Sequence, residues 1–389
     1  MINKLINAKH AISHTFVLEQ AKTLKRQNKI EEAIEILEKA NKDSKDNRII
    51  HLLANFLLDS GNYQRIIQLS EIQKVESRCY AIAQYLANIS LNNTDPLCLE
   101  GHQPLSNAAF ITMIKDEEDI ILFNLIWHYH LGLRKFFIID NLSTDQTLQQ
   151  IKLFENLFED TRVFILHDPI VAHYQGKKIT GATRFVMSLW PEIEWFFLVD
   201  ADEFLCSTQP VHQVLSAIPA SVDAIVVSKS MYILTSQDAA ENNDLFFRRI
   251  QHRKPLTHIS NKLIIRANFQ VEISQGNHRL FSINKQEINY QSVPYFSYRE
   301  FPIRSHQHYL QKTKNGGRAI AEAKQQGFNQ VGGNHWEAAY NLYLKEGEAG
   351  VRKRLNTVIT KNANEATIFD PFPLVQITNK LNITKDLLS

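Results

Sequence analysis

The pattern of hydrophobic and polar positions changes once along the chain. Residues 1–104 carry apolar residues at helical spacing, as in AKTLKRQNKIEEAIEILEKA (21–40), and this spacing predicts amphipathic helices. The segment LNNTDPLCLEGHQPLSN (91–107) interrupts the pattern with two prolines and a glycine, which is typical of a linker. From residue 108 onward, short apolar runs alternate with helical patterns. The sequence therefore predicts an all-α N-terminal domain followed by an α/β domain.

The helical region contains an internal correspondence. The stretch 54–72, ANFLLDSGNYQRIIQLSEI, repeats the scheme of residues 21–40, with Ala54 matching Ala21 at an offset of 33 residues. That offset is close to the roughly 34 residues of a tetratricopeptide unit, so the region resembles two or three degenerate repeats of that kind. A plain helical bundle is the alternative. In both cases we expect a domain that packs or docks a protein partner.

Apolar runs and helical segments that alternate predict a mostly parallel sheet with helices on both faces, a Rossmann-like arrangement. The predicted strands are AAFITMI (108–114), KFFIID (135–140), RVFILH (162–167) and WFFLVD (195–200). The predicted helices are 118–132, with a stop at Gly132, then 143–158 and 179–190. Further on, DAIVVSK (223–229), DLFFRRI (244–250) and NKLIIRA (261–267) are expected to be strands of a mixed extension.

Polar and acidic residues follow each of the four predicted strands. In open α/β sheets, ligands bind at the carboxyl ends of the strands, so these side chains are expected to converge on one edge. They are Lys115, Asp116, Glu117 and Glu118 at the end of the first strand, Asp140, Asn141, Ser143 and Asp145 at the end of the second, His167 and Asp168 at the end of the third, and Asp200, Asp202 and Glu203 at the end of the fourth.

The crowded acids of DADE (200–203) favour a bound cation. Like charges a few ångströms apart repel unless a positive charge lies among them. Asp200 and Asp202 offer the hard oxygen ligands that suit Mg²⁺ or Mn²⁺, and such a metal leaves coordination positions open for phosphate oxygens. The alternative is that the acids cap the next helix or pair with Lys177 and Arg184. Those two cations and Lys178 are also candidates to hold a diphosphate.

The segment FITMIKDEEDIILFNLIWHYHLGLRKFFIIDNLSTDQT (110–147), followed by DADEF (200–204), resembles glycosyltransferase family 2, a group of GT-A enzymes, over roughly residues 108–280. The resemblance implies a GT-A fold and an inverting hexosyltransferase that uses a nucleotide-sugar donor, with UDP-sugars favoured. It also implies a glycan or lipid-linked acceptor, as in polysaccharide biosynthesis. The expected domains are a helical docking domain (1–104), a GT-A domain (105–330) and a C-terminal helical and loop extension (331–389).

The resemblance also assigns roles to residues. The implied donor-binding set is Lys115, Asp116, Glu117, Asp140, Asn141, Ser143, Asp145 and Asp200, with Asp116 in place of the family's usual Asn. The implied metal set is Asp200, Asp202 and His278, with Glu203 as a supporting residue. An inverting transferase needs a base that deprotonates the acceptor, and the family's acidic base motif is not evident. The candidates left open are Asp238, Asp244, Glu272 and His278.

Composition narrows the class of protein. The chain has 389 residues, 44% apolar content and a net charge of +2, which indicates a globular protein and predicts no nucleic-acid partner. Three cysteines without a Cys-x-x-Cys spacing favour the cytoplasm. No run approaches the roughly 18 apolar residues of a membrane span, so any membrane contact is expected to be peripheral, at the inner face.

Two other functions fit parts of the sequence. A phosphotransferase of the haloacid dehalogenase type also places Asp-x-Asp after an apolar strand, but it normally has Thr or Val where Phe204 stands. A non-catalytic binding protein built on helical repeats is the second alternative. The acids at all four strand ends argue against an inactive site.

Overall fold

The structure is a computed structural model that describes residues 2–42, 46–88, 95–171, 174–236, 238, 245–327 and 334–380. Contacts divide the chain into two compact units. The first comprises Met1–Leu91 and Asn289–Pro294, and the second comprises Asn92–Ile288 and Tyr295–Ser389. In the part of the chain that the structure describes, no helix combines the length and apolar character needed to cross a bilayer.

The secondary structure alternates as the sequence predicts. The helices are α1 (Ile2–Arg26), α2 (Ile30–Lys42), α3 (Asn47–Asp59), α4 (Tyr63–Ile72), α5 (Ser77–Asn88), α6 (Ile121–His130), α7 (Thr147–Leu157), α8 (Gln175–Leu189), α9 (Val211–Ser216), α10 (Phe246–Arg249), α11 (His306–Gln325), α12 (Asn334–Asn362) and α13 (Leu374–Lys380). The strands are β1 (Ala108–Ile114), β2 (Lys135–Asp140), β3 (Arg162–His167), β4 (Trp195–Leu198), β5 (Glu203–Ser207), β6 (Ala224–Met231), β7 (His252–Arg253), β8 (Thr257–Arg266), β9 (Val271–Ile273), β10 (Leu280–Ser282), β11 (Tyr290–Ser292), β12 (Phe296–Glu300) and β13 (Ile368–Phe369).

The first unit contains α1 to α5 and the short strand β11. Ala21 in α1 and Ala54 in α3 are both fully buried, as small residues must be where helices approach closely. Asp46 caps α3, because its carboxylate accepts a hydrogen bond from the backbone N–H of Arg48 at 3.0 Å. The matched positions therefore fall on α1–α2 and α3–α4 as two helix pairs. The likeness to tetratricopeptide repeats stays a prediction.

The second unit is built on one mixed sheet, and the α/β class expected from the sequence is confirmed. Its strand order is β3-β2-β1-β4-β8-β6-β12-β5. Strands β3, β2, β1 and β4 are mutually parallel, whereas β8 runs antiparallel to both β4 and β6. Strand β12 is parallel to β6 and antiparallel to β5. The ends of β6 and β12 and the starts of β8 and β5 therefore lie at the edge where β4 ends. We call this edge the rim.

Most predicted elements coincide with observed ones. The first three predicted strands have the bounds of β1, β2 and β3, and the fourth ends two residues early, at Leu198. Gly132, the predicted helix stop, follows α6 with φ 108°. A Cβ there would lie 2.3 Å from the carbonyl oxygen of Gln103, so both its backbone angle and its surroundings require glycine.

One strand prediction is wrong. The segment 244–250 was expected to be a strand, but Phe246–Arg249 form the short helix α10. Phe246 and Phe247 are adjacent in sequence, and a strand would point them to opposite faces. In α10 both rings contact Phe123, at centroid distances of 6.2 and 4.9 Å. Burial of both rings in one aromatic cluster therefore overrides the strand preference of the segment.

The C-terminal residues belong to the second unit and not to a separate body. Helix α11 packs along α12, and Gly317 allows the close approach, since a Cβ there would lie 2.1 Å from Tyr340. Helix α13 packs on α6, and the Phe372 ring lies 4.7 Å from that of Trp127. The sequence predicts three domains and contacts define two units, since α12 and α13 of the predicted C-terminal extension pack on α11 and α6 of the second unit. The domain bounds stay a prediction.

Candidate functional site

A tight turn carries Asp200 and Asp202 from β4 to β5. Asn124 of α6 donates from its side-chain amide to the carbonyl oxygens of Ala201, at 2.9 Å, and Glu203, at 2.7 Å. Both hydrogen bonds are buried, so they are protected from competition with water. The turn also closes on itself, because the backbone N–H of Asp200 donates to the Glu203 carboxylate at 3.1 Å. The positions of the acids are therefore fixed by α6 and by Glu203.

Asp200 is paired with a buried lysine. The Lys262 ammonium, in the middle of β8 and beside the end of β4, lies 2.5 Å from one Asp200 oxygen, and the Gln175 amide donates to the other at 2.8 Å. The Lys262 side chain is only 1% exposed, whereas that of Asp200 is 32% exposed. Burial raises the pKa of the Asp200 carboxyl, but Lys262 outweighs it and the net pKa lies below the ordinary value.

Asp202 is paired with a lysine from a different part of the chain. The Lys312 ammonium, on α11, lies 2.6 Å from an Asp202 oxygen. Burial opposes ionisation of Asp202, but attraction to Lys312 and Arg304 outweighs it and holds the pKa of this carboxyl well below its usual range. The pKa of the Lys312 ammonium is raised for the reciprocal reason: burial lowers it, but Asp202 and Glu117 raise it more. Both groups are therefore charged at neutral pH.

Glu203 and Glu300 share a third lysine. The Lys229 ammonium, near the end of β6, lies 2.9 Å from Glu203 and 3.0 Å from Glu300. Lys262 also lies 3.3 Å from Glu203. Glu203 is fully buried, and this burial, which its two lysines only partly offset, raises the pKa of its carboxyl to about 7. Its proton occupancy therefore changes near neutral pH.

Arg304 anchors the segment before α11 to the end of β1. Its guanidinium donates to Glu117 at 2.6 Å and to both oxygens of Asp119 at 2.7 Å. Burial raises the pKa of Asp119, but Arg304 lowers it more, to about 2. This two-oxygen contact fixes orientation as well as charge. The start of α11, and with it Lys312, is thereby held over the rim.

The predicted donor loop joins the ends of β1 and β2. Asp116 has φ 52°, and it accepts from the Thr144 backbone at 2.7 Å and from the Asn315 amide of α11 at 2.8 Å. The Asp116 N–H donates to the Ser143 hydroxyl at 3.0 Å, and Asp145 accepts from the Glu118 N–H at 3.2 Å. These contacts bring the side chains predicted for this loop together.

The remaining predicted donor residues lie around the same loop. Lys115 donates to the Leu142 carbonyl at 2.6 Å, and Asp140 is buried and accepts from the Ser143 N–H at 3.2 Å. Asn141 reaches the third strand end, since its amide donates to the Asp168 carboxylate at 2.9 Å. These hydrogen bonds hold the side chains in fixed positions at the rim.

The cations that pair with the rim acids differ from those suggested by the sequence. Asp200 and Asp202 are paired with Lys262 and Lys312, whereas Lys177 is exposed on α8 and Arg184 donates to the Val271 carbonyl at 3.4 Å. The lysine that meets a rim acid from α8 is Lys178, 2.5 Å from Asp168. Helix periodicity explains the difference, because adjacent residues point about 100° apart around the axis.

The candidate bases lie in different settings. Asp238 accepts from the Thr235 hydroxyl at 2.7 Å and closes a local turn, while Glu272 is exposed on β9. His278 bonds through Nδ1 to the Asn261 carbonyl, and burial followed by the charge of Lys262 lowers the pKa of its imidazole to about 4. Asp244 lies outside the described residues. His278 is therefore the candidate whose environment includes Asp200 and Lys262.

The donor set implied for a divalent cation is Asp200, Asp202 and His278. Each carboxylate holds a lysine ammonium, whereas the contact of His278 Nδ1 with a backbone carbonyl is compatible with metal binding through Nε2. Within the residues that the structure describes, no three His, Cys, Asp or Glu side chains are grouped as a metal site would require. As arranged, these side chains do not fit Mg²⁺ or Mn²⁺. The metal stays a prediction, and no chemical step is assigned to it here.

Sequence reasoning missed the cations of the rim. Lys229, Lys262, Lys312 and Arg304 lie far from DADE in the chain, and no local pattern connects them with it. Asn124 did leave a signal, because it is a polar residue inside the apolar stretch IILFNLIW (120–127) of a predicted helix. Such a residue is buried only where its amide has partners, and here the partners are the backbone carbonyls of the Asp-x-Asp turn.

No protein-family model matches the chain, and no curated protein matches it. Among solved structures it is similar to the mannosyltransferase PcManGT from Pyrobaculum calidifontis in complex with GDP-Man and Mn²⁺, with 12% identity and a TM-score of 0.33 over 79% of this chain and 90% of that chain. It is also similar to HddC from Yersinia pseudotuberculosis, with 8% identity and a TM-score of 0.28 over 52% of this chain and 96% of that chain. Similarities this low carry no argument about substrate or mechanism.

Proposed function

We propose that the protein is a glycosyltransferase of the GT-A type, which moves a hexose from a nucleoside diphosphate sugar, with UDP-sugars favoured, to a glycan or lipid-linked acceptor. The observation that carries the proposal is the rim, where carboxylates at the ends of parallel strands meet Lys262 of β8, Lys312 of α11 and a structured loop. Ligands of open α/β sheets bind at this edge. Carboxylates and ammonium groups that lie this close together can bind a ligand that is itself charged.

The chemistry follows from the charges. Sugar transfer breaks the bond between the anomeric carbon and a phosphate oxygen, so negative charge develops on the departing diphosphate. Lys262 and Lys312 place ammonium groups at the rim, where fixed positive charge stabilises a developing anion without reorganisation. The loop of Lys115, Asp116 and Ser143 is the proposed nucleoside site. Inversion is part of the proposal, and the base remains one of Asp238, Asp244, Glu272 and His278.

Room for a second substrate lies beside the rim. A cleft of about 580 Å³ lies between the residues that follow β3 and helix α11, and its lining includes Ile170, Arg318 and Tyr340. This volume falls in the range of small-molecule sites. We assign the acceptor to it. Tyr340 supplies an aromatic side chain of the kind that stacks on sugar rings.

The first unit is proposed to dock a protein partner through its tetratricopeptide-like helices. The proposed setting is the cytoplasm, peripheral at the inner face of the membrane, where lipid-linked acceptors are found. Neither assignment affects the chemistry at the rim.

The test is a panel of UDP- and GDP-sugars, with release of nucleoside diphosphate as the readout, in Mn²⁺ and in chelator. We expect one donor to be turned over, and Asp202→Asn to lower kcat/KM by about a hundredfold or more, because the Lys312 ammonium that stabilises the developing charge loses the carboxylate that holds it in place. Asp160→Asn is the matched control, because Asp160 pairs with Arg134 at an exposed site. Hydrolysis of small phosphoesters without any sugar nucleotide would favour the phosphotransferase. Absence of both turnover and nucleotide binding would favour the non-catalytic binding protein.

A further inference from the structure

We infer that Lys262 and Lys312 take the place of a divalent cation at the Asp-x-Asp turn, so that the protein binds the diphosphate of its donor without a metal ion. The inference rests on the proposed function and specifies the group that recognises the diphosphate. It departs from the cation expected from the sequence, because the carboxylates expected to hold the metal are paired with lysines.

The balance of charge supports the inference. Four carboxylates meet at the centre of the rim, those of Asp200, Asp202, Glu203 and Glu300. Three ammonium groups lie among them, those of Lys229, Lys262 and Lys312, at 2.5 to 3.3 Å from the nearest acids. Each of the two carboxylates expected to hold the metal is therefore already paired with an ammonium group of the chain itself.

A metal ion would also have to displace buried cations. Lys262 contacts both Asp200 and Glu203, and its side chain is 1% exposed. Its removal from the rim would leave the fully buried Glu203 with less compensation, and an uncompensated buried charge is strongly unfavourable. Lys312 would have to leave Asp202, whose side chain is 8% exposed. Binding of a divalent cation by the carboxylate oxygens of Asp200 and Asp202 is therefore unfavourable.

A diphosphate, unlike a metal ion, would be bound by the ammonium groups of the rim and would not displace them. It brings negative charge to the Lys312 ammonium, whose side chain is 25% exposed. Lys262 is 1% exposed and acts through its charge from behind Asp200, which is 32% exposed. Lysine binds phosphate as a point charge with three donors, so it keeps one contact with a carboxylate while it offers others to a phosphate oxygen. Asp200 and Asp202 then act as positioning residues that hold the two ammonium groups charged and in place.

The experiment is calorimetric titration of the full chain with UDP and with GDP, in excess chelator and in Mn²⁺. We expect one nucleotide to bind in chelator with an affinity within threefold of that in Mn²⁺. Lys312→Met is expected to weaken this binding by tenfold or more in chelator. Lys314→Met is the matched control: Lys314 lies on the same helix and pairs with the exposed Glu348 at 3.0 Å. The nucleotide affinity of the Lys314→Met protein is expected to differ from that of the wild type by less than twofold.

Folding is checked by circular dichroism and thermal melting of each variant. If Lys312→Met does not fold, the double variant Asp202→Asn/Lys312→Met removes both charges of the pair and gives the same reading. Nucleotide binding that appears only with Mn²⁺ overturns the inference and leaves the proposed function intact. Equal affinity of the wild type and a folded Lys312 variant in chelator also overturns it. Absence of nucleotide binding in both conditions overturns the proposed function together with the inference.

Discussion

The Lys229 ammonium lies 2.9 Å from a Glu203 carboxylate oxygen, and both side chains are buried. The same ammonium lies 3.0 Å from Glu300, so a single cation compensates two acids on the neighbouring strands β5 and β12. Its loss would leave buried acids with too little positive charge. The pair therefore bears on the stability of the fold as well as on the site.

We expect Lys229→Met to lower the free energy of unfolding by about 3–5 kcal/mol, the usual cost of leaving a buried charge unpaired. Urea denaturation at pH 7 measures this. Adding the second substitution Glu203→Gln should restore part of the lost stability, because the new amide carries no charge that would be left unpaired. A Lys229→Met protein as stable as the wild type would show that the carboxylates find compensation elsewhere.

Asn124 offers a test of the turn that carries the acids. Replacing it with Leu, which has a similar volume, leaves the carbonyls of Ala201 and Glu203 without their buried donor. We expect a loss of about 2–3 kcal/mol in stability and weaker nucleotide binding, measured by thermal denaturation and titration. Asn55→Leu serves as the control, since Asn55 is half-buried on α3 and donates its amide to the His51 carbonyl of the same helix at 2.7 Å. If both variants behave alike, the Asn124 hydrogen bonds do not position the turn.

His128 predicts a pH dependence of stability. Burial lowers the pKa of its imidazole to about 4, below the model-peptide value of 6.5. Between these values the unfolded chain binds the proton and the folded chain does not, so stability is complete above pH 6.5 and falls as the pH decreases towards 4. The contribution is roughly 3 kcal/mol. We expect His128→Gln to flatten this part of the stability profile, measured by urea denaturation from pH 4 to 8. An unchanged slope would assign the effect to other buried histidines.

Gly132→Ala is expected to destabilise the protein by about 2 kcal/mol or more. The residue has φ 108°, and the new methyl group would press on the Gln103 carbonyl, so both backbone strain and a clash oppose it. Gly181→Ala is the matched control: Gly181 lies in α8, and a Cβ there meets nothing within 4 Å. It should be neutral or stabilising by about 1 kcal/mol. Thermal melting of both variants measures the difference, and equal melting temperatures would contradict the assignment of Gly132.

The parts of the fold with local signals were predictable. Strands β1, β2 and β3 appear at their predicted bounds because each is an apolar run between turn residues. The helix at Phe246 and Phe247 was missed, since its preference comes from Phe123, more than a hundred residues away. The pattern of residues in a segment predicts which of its faces is apolar, but it does not predict which aromatic ring from elsewhere in the chain will pack on that face.

The candidate site likewise contains residues that were predicted from the sequence and residues that were not. Lys115, Asp116, Ser143 and Asp145 were predicted from strand ends, and the structure brings them into one loop network. The lysines of the rim were not assigned, because each stands on an element whose place in the sheet is set by long-range pairing. Lys262, for instance, meets Asp200 because β8 pairs with β4. Nothing near Lys262 in sequence reports that pairing.

The partners Asp202 and Lys312 are 110 positions apart, which bears on how the protein is made. At a synthesis rate of about 5–20 residues per second, the ribosome delivers this lysine roughly 5–20 seconds after the aspartate. By residue 300 the nascent chain already contains every strand of the large sheet. In a translation product that stops there, the Asp202 carboxylate would be hydrated by water instead of paired with Lys312. Such a fragment should therefore hold all strands of the sheet but lack the charge pattern of the finished rim.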